Sequence, residues 1–129
     1  MILLDTDVAI DLLRGYPPAT EWFASLNDDE TLALSGFVMM ELIQGCKRKI
    51  EQDRLKRALC DYEIIWLSSK HCNKALDVFI QYHLSHNAGL IDVLVGQTAV
   101  AFGVPLYTFN KKHYQFIPNL DTVQPYIKV

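Results

Sequence analysis

At 129 residues the chain is one domain by length, and it can bury a core without disulfide or metal staples. Half of it is apolar and 21% charged, which excludes a disordered or fibrous chain. A formal net charge of −3 excludes a broad basic nucleic-acid-binding face, though not a local one.

Residues 2–5, I-L-L-D, read as a buried strand that ends in an acid. Residues 8–14 read as a short helix, stopped by Gly15 and Pro17-Pro18. Between them lies Asp5-Thr6-Asp7, and Asp7 is the better candidate for the helix cap. A second helix runs from Pro18 through Trp22, Phe23 and Leu26. Thr31 to Ser35 is the second strand. The next helix carries Val38, Met39, Leu42 and Ile43, with Glu41 among them, and ends near Gly45. Lys47 to Tyr62 has only Ile50, Leu55 and Leu59 as sparse apolar positions and reads as an exposed helix. Glu63 to Leu67 is the third strand. Ser68 or Ser69 caps a helix over 70–85. After the loop 86–89, Leu90 to Gly103 is a strongly apolar helix, and its Gly96, Ala99 and Ala101 permit close packing on a sheet. Leu106 to Phe109 is the fourth strand, with Asn110 at its exit. Lys111 to Phe116 has the length of one turn. Thr122 to Gln124 is a fifth, edge strand, since Pro125 cannot donate to a ladder.

Strands alternate with helices throughout, so the expected architecture is α/β, a parallel sheet covered on both faces. No repeat, linker or low-complexity tract divides residues 1–129, which form a single domain. Cys46, Cys60 and Cys72 are odd in number, widely spaced and without a C-x-x-C pair, the pattern of reduced thiols in a cytoplasmic protein and not of a zinc knuckle. The apolar run at Met1 to Leu4 is cut too soon by acids for a signal peptide, and no later run reaches membrane-spanning length.

Three acids sit among apolar neighbours: Asp5 after Ile2-Leu3-Leu4, Glu41 between Met39-Met40 and Leu42-Ile43, and Asp92 between Leu90-Ile91 and Val93-Leu94. Each has a plainer role open to it, as helix cap, solvated helix edge or first-turn acid. Yet each falls at or near a helix start after an extended segment, the position where an open α/β sheet presents its chemistry. No basic residue lies near any of them in sequence, and Arg14, at the far end of the first helix, is the only early partner. At a separation of ~5 Å and an effective dielectric of ~20, each pair of carboxylates repels by roughly 3 kcal/mol. Convergence therefore requires a retained proton or a divalent cation, and ligands that are all oxygen favour Mg²⁺ or Mn²⁺ over zinc. Thr108 and Asn110, flanking Phe109, either position a metal-bound water or close a turn. His113 is a proton carrier or a surface residue. His71, His83 and His86 look structural or solvated, and no Gly-rich phosphate loop or G-x-S-x-G is present.

The segments L-L-D-T-D-V-A-I-D-L-L-R-G, L-S-G-F-V-M-M-E-L-I-Q-G, G-L-I-D-V-L-V-G-Q-T-A and P-L-Y-T-F-N-K-K-H-Y-Q-F-I-P, in this order and spacing, resemble PIN domains of the VapC toxin type over essentially the full length. The resemblance implies a three-layer α/β/α sandwich around a parallel sheet of four to five strands. It implies a Mg²⁺- or Mn²⁺-dependent endoribonuclease, a homodimer, and a small antitoxin protein encoded beside it. The family's acids fall on Asp5, Glu41 and Asp92, and its Thr-x-Asn signature on Thr108 and Asn110. Thr6, Asp7, Arg14 and His113 are supporting positions. The family often places a fourth acid where Asn110 or His113 stands, and neither is acidic here, so the resemblance implies one metal held without RNA. Two rivals remain: a PIN-fold binding module without catalysis, and a phosphatase with Asp5 as nucleophile and Asp7 as acid/base, against which Ala9 stands where Thr or Val is expected.

Overall fold

The computed structural model describes residues 1–128. Strands β1 (Ile2–Leu4), β2 (Leu32–Ser35), β3 (Glu63–Ile65), β4 (Leu106–Tyr107) and β5 (Thr122–Val123) form one sheet in the order β3-β2-β1-β4-β5. Every pairing is parallel. Helices α1 (Thr6–Leu13), α2 (Pro17–Ser25), α3 (Gly36–Gln44), α4 (Lys49–Ala58), α5 (Ser69–His86) and α6 (Leu90–Phe102) flank it. All three residues of β1 and all four of β2 are buried. Successive strand side chains point to opposite faces, so a wholly buried strand needs cover on both. The result is the expected three-layer α/β/α sandwich, with its core built on Leu3, Leu4, Leu34, Val38, Val95 and Leu106.

The expected α/β alternation holds, and the element bounds shift for local reasons. The first helix starts at Thr6, two residues early, and its N-cap is Asp5, whose carboxylate accepts the Thr6 N–H. Asp7 is therefore not the cap. β3 ends at Ile65 because Trp66 turns out to lie over the start of α3; a Cβ on Gly36 would stand 2.3 Å from its indole ring. Ser68 caps α5 as expected. Gly96 of α6 packs not on the sheet but on the segment after β4, where an added Cβ would meet Ile117 at 2.4 Å and Tyr114 at 3.4 Å. The turn after β4 is a short 3₁₀ helix, Lys111–His113. Among the described residues no helix is long and apolar enough to cross a membrane.

From β1 the chain adds β2 and β3 on one side and β4 and β5 on the other. The β1/β4 boundary is thus a topological switch point, and the crevice beyond the carboxyl ends of those strands is where open α/β sheets bind ligands. Asp5 follows β1 there, and Thr108 to Asn110 follow β4. The chain's last stretch is tied across α1: Tyr126 donates its hydroxyl to Asp11 at 2.8 Å, and Lys128 pairs with the same carboxylate at 3.2 Å.

Candidate active site

Asp5 is buried to 7% exposure at this crevice, and both of its oxygens are engaged. One accepts the Thr6 N–H at 2.8 Å. The other accepts the hydroxyl of Thr108, itself fully buried, at 2.7 Å. The Thr108 oxygen in turn accepts the Asn110 N–H at 3.0 Å. β4 therefore fixes the orientation of the acid carried by β1.

Asp7, in the first turn of α1, closes the same loop from beside it. Its carboxylate accepts the Val8 N–H at 2.7 Å, the Phe109 N–H at 2.9 Å and the Asn110 side-chain amide at 3.3 Å. Burial and then the charge of Asp5 push its carboxyl above the ordinary aspartate value. So Asn110 latches the β4 exit to α1, and Thr108 orients Asp5.

Asp92, in the first turn of α6, is half-buried. Burial and then the charge of Asp5 raise its carboxyl as well. Tyr114 stands between the two acids. Its hydroxyl donates to Asp92 at 3.3 Å and feels the charge of Asp5. At 1% exposure and beside two carboxylates, the phenol is pushed far above its usual range. His113 approaches Asp92 from outside, its Nδ1 3.7 Å from the carboxylate and its side chain 63% exposed. Glu41 is reached through Thr6, whose hydroxyl donates to it at 3.0 Å. Arg14, at the end of α1, lines a cleft of about 760 Å³ that also holds Thr6 and Glu41, so it stands near the site but not in it.

Asp5 and Asp92 thus share the crevice and repel one another, and among the described residues no Lys or Arg forms an ion pair with either or with Glu41. All the donors are hard oxygens, which suits Mg²⁺ or Mn²⁺. The gathering is incomplete: among the described residues no three His, Cys, Asp or Glu side chains are drawn together closely enough to hold an ion. Asp5 and Asp92 are the near pair, with Glu41 one hydroxyl further out.

Residues 2–116 match the family model for the PIN domain. The chain belongs to the PIN domain family. Among curated PIN relatives, Ribonuclease VapC10 of Mycobacterium tuberculosis is 35% identical over 121 residues, spanning 93% of this chain and 90% of that protein. Ribonuclease VapC19 of the same organism is 31% identical over 125 residues, spanning 94% and 98%. A toxin-antitoxin complex from Klebsiella pneumoniae contains a chain with a TM-score of 0.77 and 27% identity, covering 98% of each chain. VapBC2 from Rickettsia felis, bound to a DNA fragment from their promoter, gives 0.78 and 27%, covering 95% of this chain and 98% of that one.

Within this PIN domain, sequence reasoning missed Tyr114. It was hidden in a polar turn, K-K-H-Y-Q-F-I-P. The one available signal was its spacing of three from Ile117, since both are buried against Gly96 of α6.

Proposed function

We propose that this PIN domain is a divalent-metal-dependent endoribonuclease that acts as the toxin of a toxin–antitoxin pair. The observation that carries the reading is the pair Asp5 and Asp92, oriented by Thr108 and Tyr114 at the switch point of a parallel sheet, with neither in an ion pair to Lys or Arg among the described residues. Asp5 and Asp92 would hold Mg²⁺ or Mn²⁺, with Glu41 as the third carboxylate. When bound, that ion supplies an activated water and charge stabilisation at the phosphate.

The remaining residues act on position and protons. Thr108 keeps the Asp5 oxygens facing the crevice, and Thr6 holds Glu41 toward it. Asp7 and Asn110 fix the loop that carries Thr108. His113, exposed beside Asp92, would exchange a proton with solvent during the reaction. Arg14 lines the α1–α3 cleft together with Glu41, where it would support the site electrostatically. RNA as the polymer is supported by relatives that carry the name ribonuclease, and a small antitoxin partner by relatives solved in toxin–antitoxin complexes. A homodimer and a cytoplasmic location complete the proposal.

The phosphatase rival is disfavoured because the Asp7 carboxylate is held by two backbone N–H groups and an amide as the tie between α1 and the loop after β4. The test is cleavage of single-stranded RNA by purified protein in Mg²⁺, in EDTA, and as Asp5→Asn. Activity should vanish in EDTA and fall at least ~100-fold in the variant, as expected for a charge-stabilising group at the reacting centre. Activity that survives both overturns the metal reading. A folded chain that neither cleaves RNA nor binds a divalent ion is the binding module instead.

A further inference from the structure

A second cleft, of about 340 Å³, is lined by Asp92 and shares no residue with the α1–α3 cleft. The loop 87–89 bounds it on one side and the 3₁₀ turn Lys111–His113 on the other, and Phe116 also lines it. Its volume falls within the range of small-ligand sites, roughly 300–1,000 Å³. The loop is pressed against the acid: a Cβ on Gly89 would stand 3.0 Å from an Asp92 carboxylate oxygen. Asp92 therefore belongs to the wall of this cleft as well as to the candidate active site.

The lining combines a basic side chain with a packed aromatic ring. Lys112 is exposed and, among the described residues, in no ion pair. His86 is exposed but its ring is held. It meets Tyr82 edge-on at 5.1 Å and Phe116 at 5.8 Å, and its Nδ1 lies 2.7 Å from the Ser85 hydroxyl. Tyr82 and Phe116 pack on each other at 5.1 Å behind it. A fixed, solvent-facing ring beside a free ammonium is the combination with which proteins hold unpaired nucleotides, stacking the base and neutralising the phosphate. The larger cleft between α1 and α3 contrasts with this, because Ile10, Leu13, Leu42, Leu55 and Ala58 make its walls mainly aliphatic, and its Arg14 and Arg54 share it with Glu41 and Glu51.

We propose that the cleft between loop 87–89 and turn 111–113 is the subsite for a nucleotide flanking the scissile phosphate of single-stranded RNA, with Lys112 on its phosphate and His86 stacked on its base. The inference rests on the ribonuclease reading and extends it to the path of the strand. It explains how an acidic site in an acidic chain engages a polyanion: the attraction comes from one flank.

The experiment measures anisotropy of a short fluorescein-labelled single-stranded RNA titrated with the full chain in an Asp5→Asn background, and cleavage in the native background. Variants are Lys112→Ala, His86→Ala, His86→Phe and, as a control in the aliphatic cleft, Arg54→Ala. Lys112→Ala should weaken binding and lower the salt slope by about one counterion. His86→Ala should weaken binding roughly tenfold, and His86→Phe, which keeps a flat ring, should restore it. Arg54→Ala should bind as the parent. If the unmodified chain cleaves RNA while the Lys112 and His86 variants bind and cleave like it, or if Arg54→Ala weakens binding equally, the subsite falls and the ribonuclease reading stands. If the unmodified chain does not cleave RNA in Mg²⁺, that reading falls and takes the subsite with it.

Discussion

Asp5 and Asp7 are two residues apart, and the fold gives them different work. Asp5 caps α1 and faces the crevice, while Asp7 binds the loop after β4 through the Phe109 N–H and the Asn110 amide. The sequence singled out Asp5, Glu41 and Asp92 because an acid among apolar neighbours is conspicuous. It could not divide the two aspartates in this way, because the partner that decides the matter lies 102 positions away in the chain. The same holds for the Tyr114 hydroxyl, whose value depends on two carboxylates from distant segments. A pH dependence follows at this scale. Asp7 and Asp92 both have folded-state carboxyl pKa values raised above the ordinary 3.8, chiefly by burial and next by Asp5. The folded state then binds more protons than the unfolded state, so their contribution to stability is full below pH 3.8 and is lost as pH rises through the raised values. Denaturant unfolding in EDTA at stepped pH should show the native chain losing stability over that window relative to Asp92→Asn. Adding Mg²⁺ should flatten the difference. Parallel profiles for the two proteins in EDTA would contradict the assignment.

Among the elements, α6 shows most clearly what hydrophobic pattern conveys and what it leaves out. Its apolar run and small residues were legible as a helix under close contact. Which body makes the contact was not, because periodicity describes a face and not its partner. That partner is the segment 114–120, packed so tightly on Gly96 that a Cβ would meet Ile117 at 2.4 Å, Leu120 at 3.3 Å and Tyr114 at 3.4 Å. Helix starts were misplaced for a similar reason: Thr6 is polar and adds nothing to an apolar stripe, yet it is the first residue of α1 because Asp5 caps it. Gly96→Ala should therefore act first on Ile117 and, through it, on the segment that carries Tyr114. Overpacking at a buried site costs about 1–3 kcal/mol. Chemical denaturation should show a loss in that range, and the Mn²⁺ affinity of the still-folded variant should fall because the hydroxyl between Asp5 and Asp92 is displaced. A variant that loses stability but binds Mn²⁺ as the parent would mean that the segment can shift without moving Tyr114.

The whole-molecule architecture was the most legible part, since alternating strands and helices admit few arrangements once the sheet is parallel and its central strand is buried on both faces. What no alternation reports is which surface is left for a second copy. On α5, Leu76, Ile80 and Leu84 are spaced four apart and are 54%, 67% and 93% exposed, and Leu90 at the start of α6 adds 58%. A shallow recess of about 120 Å³, lined by Leu76, Phe79, Leu90 and Leu94, lies beside this ridge. Contiguous apolar surface of this kind is a site of association in a stable protein. A ridge next to its own matching recess suits a two-fold contact, in which each copy offers the same patch. The proposed homodimer is therefore expected to close through α5. Ile80→Glu would place a carboxylate at the middle of that patch in both copies, unpaired and desolvated, which a dimer cannot accommodate without losing the contact. Because Ile80 is solvent-facing in the single chain, the same change should leave the unfolding midpoint of the protomer within about 0.5 kcal/mol. Light scattering coupled to size exclusion should find twice the chain mass for the native protein and the single mass for the variant. A native protein that is monomeric at micromolar concentration, or a variant that remains dimeric, would place the interface elsewhere or remove it.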